Sequence, residues 1–338
     1  MPDTLSSYER AADPLVVVPC LNEATHIAGI LRQLSAAMKR LNGRVVVVDG
    51  GSTDGTLDIV GEFVSADPRI SLLHNPDRIQ SAAINLAVAQ DSGRATHLLR
   101  VDAHCTYPDD FCDVLMQQAN SVYADSIVVS MIAEGVQPVQ RINAATQNAS
   151  FGNGGAAHRH IPSGAYVNHG HHALMKIDAF RAVRGYDPSF THNEDAELDY
   201  RLRKAGSRIW LTNATAITYH PRTSFRDLAR QYFNYGAGRA RNLIKHQVRP
   251  QLRQVKVIMV APAVAMALLA PVHWVFALPA AIWALYCLFS GARMAAAQRD
   301  PLLVLCGVAA MIMHFAWSLG FWQQVLRRSP GLQRRVAQ

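Results

Sequence analysis

An α/β fold with a mostly parallel central sheet is predicted for the first two thirds of the chain, followed by amphipathic and membrane-embedded helices. Three observations predict it. Short β-branched runs alternate with helix-period segments between residues 15 and 101, polar and acidic residues gather just after those runs, and charge and hydropathy change sharply beyond residue 221.

Taken in order, Leu15 to Val18 is an apolar strand, and Ile27, Ile30, Leu31, Leu34 and Met38 recur at helical spacing. Val45 to Val48 repeats the strand, and Leu57, Val60 and Val64 repeat the helix. Ile70 to Leu73 and His97 to Val101 read as strands around a helix over Ala82 to Ala89. Runs apolar on both faces suit a parallel sheet covered by helices, whose ligands bind beyond the carboxyl ends of the strands. Ser126 to Ser130 adds a strand. Ala144 to Ala165, rich in Gly, Asn and His, is expected to be a loop region beside a site. Helices are expected again over Asp178 to Arg184 and Glu194 to Ala205.

A chain of 338 residues, half of them hydrophobic, with no low-complexity tract or internal repeat, is long enough for one sizeable domain and an accessory region. Residues 1–221 carry net charge −5 and residues 222–338 carry +13. A basic third beside long apolar runs favours anionic lipid over nucleic acid as partner. Cys20, Cys105, Cys112, Cys287 and Cys306 form no CxxC pair and are expected to be buried, reduced thiols. The start MPDTLSSYERAADP has no apolar h-region, so no signal peptide is expected and the first domain is expected in the cytoplasm.

Residues 222–256 hold nine Lys and Arg and one acid. Phe225, Leu228, Tyr232, Tyr235 and Leu243 recur at helical steps between cations, as in a helix lying on a membrane surface. Val257 to Ser290 contains 34 residues without a formal charge and Leu302 to Leu326 contains 25. A crossing takes about 20 apolar residues, so residues 257–326 are expected to form two or three transmembrane helices, with Pro271 and Pro279 as breaks. Residues 327–338, with Arg327, Arg328, Arg334 and Arg335, form a basic tail. Two crossings would leave that tail in the cytoplasm and three would leave it outside.

Asp102 and His104 alternate by two after an apolar strand, so a continuing strand would project both to one side. A carboxylate and an imidazole there suit Mn²⁺ or Mg²⁺ bridging a diphosphate. Asp49 and Asp54 sit in a Gly-rich turn that opens a helix. Asp54 is either a helix cap or a ligand contact, while Asp49 can accept from an N–H of a pyrimidine. Glu194, Asp195, Glu197 and Asp199 put four acids into six residues; the helix dipole favours acids there, and one ionised carboxylate is what removal of a proton from an acceptor hydroxyl requires. His158, His160, His169, His171 and His172 match no fixed zinc spacing and are expected to be solvated or substrate-facing.

Read together, VVVPCLNEA, VVVDGGSTDGT, NPDRIQSAAINLAV, RVDAHCTYPDDF and THNEDAELDYRLRKAG, in this order from Val16 to about Arg241, resemble the inverting nucleotide-sugar glycosyltransferases of family 2, whose fold is called GT-A. The resemblance implies a GT-A catalytic domain over 1–221. It implies Pro19, Glu23 and Asp49 at the nucleoside, Arg78 near the donor, Asp102 at a metal-bound diphosphate, Asp195 as base and Glu194 at the acceptor. His104 stands where the family usually has Asp, and QYFNYGAGR over Gln231 to Arg239 replaces the Gln-x-x-Arg-Trp of processive synthases, which implies addition of a single sugar. The layout looks most like glucosyltransferases that extend lipid-linked oligosaccharides in succinoglycan-type exopolysaccharide assembly. That implies a UDP-sugar donor, a polyprenyl-diphosphate-linked saccharide acceptor, a β-linkage and the bacterial cytoplasmic membrane with the catalytic domain inside. Transfer of mannose or glucose to polyprenyl phosphate, and a non-catalytic UDP-binding scaffold, are the alternatives.

Overall fold

The computed structural model describes residues 13–155 and 163–327, so the amino-terminal segment, His158, His160, Arg328, Arg334 and Arg335 lie outside the described residues. The chain divides into two compact units, Met1–Met131 with Ile161–Ile217 and Ile132–His160 with Thr218–Gln338. The described residues 132–155, expected within the first domain, therefore group with the C-terminal helices.

The first unit runs β1 (Pro14–Cys20), α1 (Ile27–Leu41), β2 (Arg44–Asp49), α2 (Thr56–Ala66), β3 (Ile70–His74), α3 (Gln80–Gln90), β4 (His97–Arg100), α4 (Phe111–Ser121) and β5 (Ser126–Ala133). After α5 (Pro138–Asn148) and α6 (Ser150–Asn153), which belong to the second unit, come β6 (Ala165–Tyr166), β7 (His171–Lys176), α7 (Ile177–Ala182), α8 (Glu194–Lys204) and β8 (Ile209–Tyr219). The strands form one mixed sheet in the order β3-β2-β1-β4-β7-β5-β8-β6. β1 pairs in parallel with β2 and β4, and β2 with β3. β7 enters antiparallel between β4 and β5, and β6 lies antiparallel to β8.

The β-branched runs explain the parallel half: Leu15, Val16, Val17 and Val18 are all buried, because helices cover both faces of β1. One core joins Leu15, Val17 and Val48 of the sheet to Ile84 and Ala87 of α3, Phe180 of α7, and Leu198 and Leu202 of α8. Leu198 and Leu202, one turn apart, seat α8 on this core and fix where its acidic first turn lies.

The loop expected over Ala144 to Ala165 is helical as far as Asn153. Its Gly, Asn and His content masked a face, carrying Ala145 and Phe151 beside the preceding Ile142, that packs in one cluster with Leu228, Leu303 and Cys306. The same burial accommodates Asn143, whose amide donates to the Arg222 carbonyl at 2.7 Å. β7 and β8 are strands with no clean apolar alternation to announce them.

The second unit continues with α9 (Phe225–His246), α10 (Leu252–Ile258), α11 (Val260–Ala267), α12 (Leu278–Gln298) and α13 (Cys306–Arg327). Ser224 caps α9 by accepting from the Asp227 amide at 3.1 Å. Among the described residues two helices, Trp274–Gln298 and Pro301–Arg327, are long and apolar enough to cross a membrane by length and composition. The apolar run beginning at Val257 breaks at a turn that holds Pro271, and the piece before that turn is too short to be a third such helix. Pro279 sits in the first turn of α12, where its missing N–H costs nothing.

α9 and α13 approach at two glycines. A Cβ on Gly236 would run into the Trp317 carbonyl, and one on Gly320 into the Phe233 carbonyl. Gly236→Val should therefore lower stability by about 1–3 kcal/mol through forced separation, read as a lower unfolding midpoint of the detergent-solubilised chain. Gly61→Ala, with nothing within 4 Å of the added carbon, should leave the midpoint unchanged or slightly higher.

Candidate active site

The carboxyl ends of β1, β2 and β4 carry the loops of the site. Hydrogen bonds join the first two loops: the amide of Asn22 donates to Ser52 Oγ at 2.8 Å, that of Glu23 to Thr56 Oγ1 at 2.9 Å, and that of Thr53 to Asn22 Oδ1 at 2.8 Å. Asp49, 2% exposed, holds the turn after β2. Its Oδ2 accepts from the amides of Gly51 at 2.6 Å and Ser52 at 2.9 Å, while Oδ1 accepts from the Ser52 hydroxyl and from Cys20 Sγ. Asp54 accepts from the Thr56 amide and hydroxyl and from the Ala24 amide at 3.1 Å, a turn contact ahead of α2, whose N-cap Gly55 offers no side chain. Gly51 has φ +88, and the Arg78 guanidinium lies where a side chain would project from it. Arg78 itself has φ 58, unusual for a residue with a Cβ. Pro19 lies in β1 opposite Val48.

β4 ends at Arg100, so Asp102 and His104 sit in a turn and not on one pleated face. Asp102 is buried, its amide donating to the Tyr107 hydroxyl at 2.7 Å. His104 is more than half exposed, its Nδ1 3.0 Å from Glu23 Oε1. The pair is thus set by turn geometry and by Glu23, not by strand alternation.

Asp102 and Asp195 converge on one guanidinium. Arg100 Nε and Nη2 donate to Asp102 Oδ1 and Oδ2 at 3.1 and 3.4 Å, and Nη1 donates to Asp195 Oδ1 at 2.7 Å. The Tyr186 hydroxyl donates to the same Asp195 oxygen at 2.9 Å, and Gln80 Nε2 donates to Asp102 Oδ1. The His171 ring stands between the two acids, 3.8 Å from Asp102 Oδ2 and 3.9 Å from Asp195 Oδ2.

Burial alone would raise the Asp102 carboxyl, but Arg100, aided by His171, overrides it and holds it at about 2. Asp195 is held below the ordinary range in the same way, burial being outweighed by Arg100 and the neighbouring imidazoles. Burial and Arg100 push His171 down to about 4, so it is neutral at physiological pH. Glu194 shifts the other way: burial, then the Asp195 charge, raise it to about 7. Two ionised carboxylates against one guanidinium leave a negative excess that suits a cation.

Asp199 lies fully buried near this cluster, with His169 Nδ1 at 2.6 Å from Oδ2 and His172 Nε2 at 3.1 Å from Oδ1. His172 is completely buried and is raised by Asp199 despite its burial, so the expectation of solvated or substrate-facing histidines fails for it. An imidazole at that depth survives because it is paired.

Sequence reasoning missed Arg100, Tyr186 and Gln80, and named His171 only as solvated or substrate-facing. Arg100 carried a signal, a cation inside a run of buried strand residues, which requires a buried anionic partner. Tyr186 and Gln80 carried none, and the place of His171 between two acids had none, since these roles depend on β7, α3 and the turn before α8 meeting. Among the described residues no three His, Cys, Asp or Glu groups could by themselves hold a metal ion. Asp102 is tied to Arg100 and Gln80, and His104 faces Glu23, so the two are not joined in such a group. Cys20, Cys105 and Cys112, all buried, are pushed by burial to about 12, so they are inert thiols.

The model of glycosyl transferase family 2 matches residues 15–184. The chain is 51% identical over 334 residues to the succinoglycan biosynthesis protein ExoA of Rhizobium meliloti (strain 1021), covering 98% of this chain and 100% of that one. It is 29% identical over 248 residues to the pre-mycofactocin glycosyltransferase of Mycobacterium tuberculosis (strain CDC 1551 / Oshkosh), covering 69% of this chain and 48% of that one. Among solved structures, the mannosyltransferase PcManGT from Pyrobaculum calidifontis, in complex with GDP-Man and Mn²⁺, superposes with TM-score 0.62 at 17% identity, covering 96% of this chain and 92% of that one, which shows the shared GT-A fold.

Because the folded-state carboxyl of Glu194 lies above its ordinary 4.5, it favours the folded state while protonated. That contribution is complete below about 4.5 and is lost as pH rises through about 7. Glu194→Gln should flatten the stability profile across this interval and leave the variant more stable than the native chain on its alkaline side, measured by denaturant unfolding at a series of pH values.

Proposed function

The chain belongs to glycosyl transferase family 2, and from that premise we propose that it adds one glucose from UDP-glucose, through a β-linkage, to a polyprenyl-diphosphate-linked oligosaccharide in succinoglycan-type exopolysaccharide assembly. It is a glycosyltransferase. The finer reading draws its support from the 51% identity to ExoA along the full length of both chains. For the chemistry, the observation that carries the proposal is the convergence of Asp102 and Asp195 on Arg100.

The reaction is a single in-line displacement. The acceptor hydroxyl oxygen forms a bond to the anomeric carbon as the bond from that carbon to the UDP oxygen breaks, and UDP leaves with the electron pair. Asp195 takes the hydroxyl proton. Its Oδ1 accepts from Arg100 and Tyr186, which leaves Oδ2 for the acceptor. Burial and the neighbouring Asp195 charge raise Glu194 to about 7, which puts a second carboxyl with capacity for a proton near neutrality beside the base. Arg100 holds Asp195 in place relative to Asp102, and such positioning supplies much of the acceleration.

Asp102 and His104 would hold the divalent metal, which when bound neutralises charge on the departing diphosphate. On the nucleoside side, Pro19 and Glu23 line the pocket, and Asp49 shapes it by tying the turn through Gly51 and Ser52. Arg78, against Gly51, meets the donor. In this reading the enzyme works at the bacterial cytoplasmic membrane with its catalytic unit on the cytoplasmic face, a reading that the two long apolar C-terminal helices support.

Asp195→Asn should cut turnover by about 10² or more while UDP affinity stays within a small factor of native. The check is transfer from labelled UDP-glucose to lipid-linked acceptor alongside calorimetric UDP binding; undiminished turnover would remove Asp195 from its role. Chelation with EDTA should abolish both transfer and tight UDP binding, with Mn²⁺ restoring them. Full UDP affinity and activity in EDTA would refute the metal.

A further inference from the structure

We propose that α12 and α13 enter a single leaflet from the cytoplasmic side and lie along the membrane with α9, so that the chain is held by one face of its helical unit and crosses nowhere. The inference rests on the membrane reading above and concerns how that membrane is engaged.

The length and composition of α13 permit a crossing; its neighbour restricts it. α9 and α13 run in parallel. Near their starts Leu228 packs with Leu303, Cys306 and Met313, at the middle Phe233 and Gly236 meet Gly320 and Trp317, and near their ends Ala240 and Leu243 pack with Phe321 and Val325. Contact therefore follows α13 from one end to the other. At ~1.5 Å per residue that length is about the thickness of a hydrocarbon core. An upright α13 would carry α9 through the same depth, and α9 bears Arg226, Asp227, Arg230, Arg239, Arg241 and Lys245 along its course. Arg226, Arg230 and Lys245 are exposed. Formal charges spread over the full depth of a bilayer are a costly arrangement.

α5 adds to the constraint. It also packs on α13, the Ile142 carbonyl accepting from Cys306 Sγ, and Arg141 pairs with Asp300 at 2.6 Å just before α13. These are polar, water-side neighbours for a helix that composition alone would put inside lipid.

The apolar surface lies elsewhere. α12 packs on another side of α13, with Gly291 against Gly307 and Trp283 Nε1 3.3 Å from His314 Nδ1. Its Ile282, Leu285 and Phe289, on one helical face, are 65%, 65% and 64% exposed. In the preceding turn Leu268, Val272 and Trp274 are 79%, 78% and 66% exposed. Polarity thus changes across the helices and not along them, from cations on α9 and α10 to an open apolar face on α12. That is the pattern of a slab floating in one leaflet, with its cations at anionic headgroups.

Single cysteines at Val272 and Ala297 decide the matter, because any crossing of α12 brings one of its two ends outside. In intact cells a membrane-impermeant maleimide should label neither Val272→Cys nor Ala297→Cys above the native chain, whose described cysteines are buried; both should react once the opened membranes are dissolved in detergent, and before that step the protein should be recovered in the membrane pellet. Labelling of either site from outside would establish a crossing and overturn the proposal while leaving membrane attachment intact. Recovery of the native chain in the soluble fraction would instead remove the membrane reading, and this proposal with it.

Discussion

The guanidinium of Arg100 is the tie on which the site depends. It leaves the end of β4, is almost fully buried, and reaches Asp102 on one side and Asp195 on the other. Without that cation two carboxylates would face each other in a region short of water, and repulsion together with desolvation would force one of them to take up a proton. With it, both stay ionised. The tie also fixes geometry: the acids are 93 residues apart in the chain, and a fork of N–H donors sets their separation more rigidly than a point charge could.

Around this tie the fold grades its carboxyl groups by environment. Asp102 is held at about 2 and Glu194 is raised to about 7, although both lie within one cluster. The difference follows from contact: Asp102 touches Arg100 directly, while Glu194 is half-buried beside the Asp195 charge with only weaker help from the same cation. A group kept anionic suits cation and diphosphate chemistry, whereas a group titrating near neutrality suits proton traffic. Asp199 and His172 neutralise each other behind this arrangement and let β7 bring a histidine pair into the core.

The helical unit shows how a composition can mark helices as lipid-compatible and leave their neighbours undetermined. Apolar content marks α12 and α13 as lipid-compatible, yet what packs on α13 is a basic helix running its whole length. Close approach at Gly236 and Gly320 makes that pairing intimate, so the two helices share one environment.

The chain's own pattern determined the parallel half of the sheet, the helix-period segments that cover it and the positions of the acids, because burial on both faces selects β-branched runs and because loops after parallel strands gather polar residues. It also carried the family motifs and the two long apolar segments. It did not determine β7 or the helices after β5, whose residues mix His, Asn and Gly with apolar side chains and take their structure from what packs on them. Nor could it show that Asp49 spends its oxygens on its own turn, that His104 turns to Glu23, or that Arg100 closes the gap between Asp102 and Asp195. Those are contacts between residues distant in sequence. Periodicity reports which side of an element is dry, and only the assembled structure decides which charge stands opposite which.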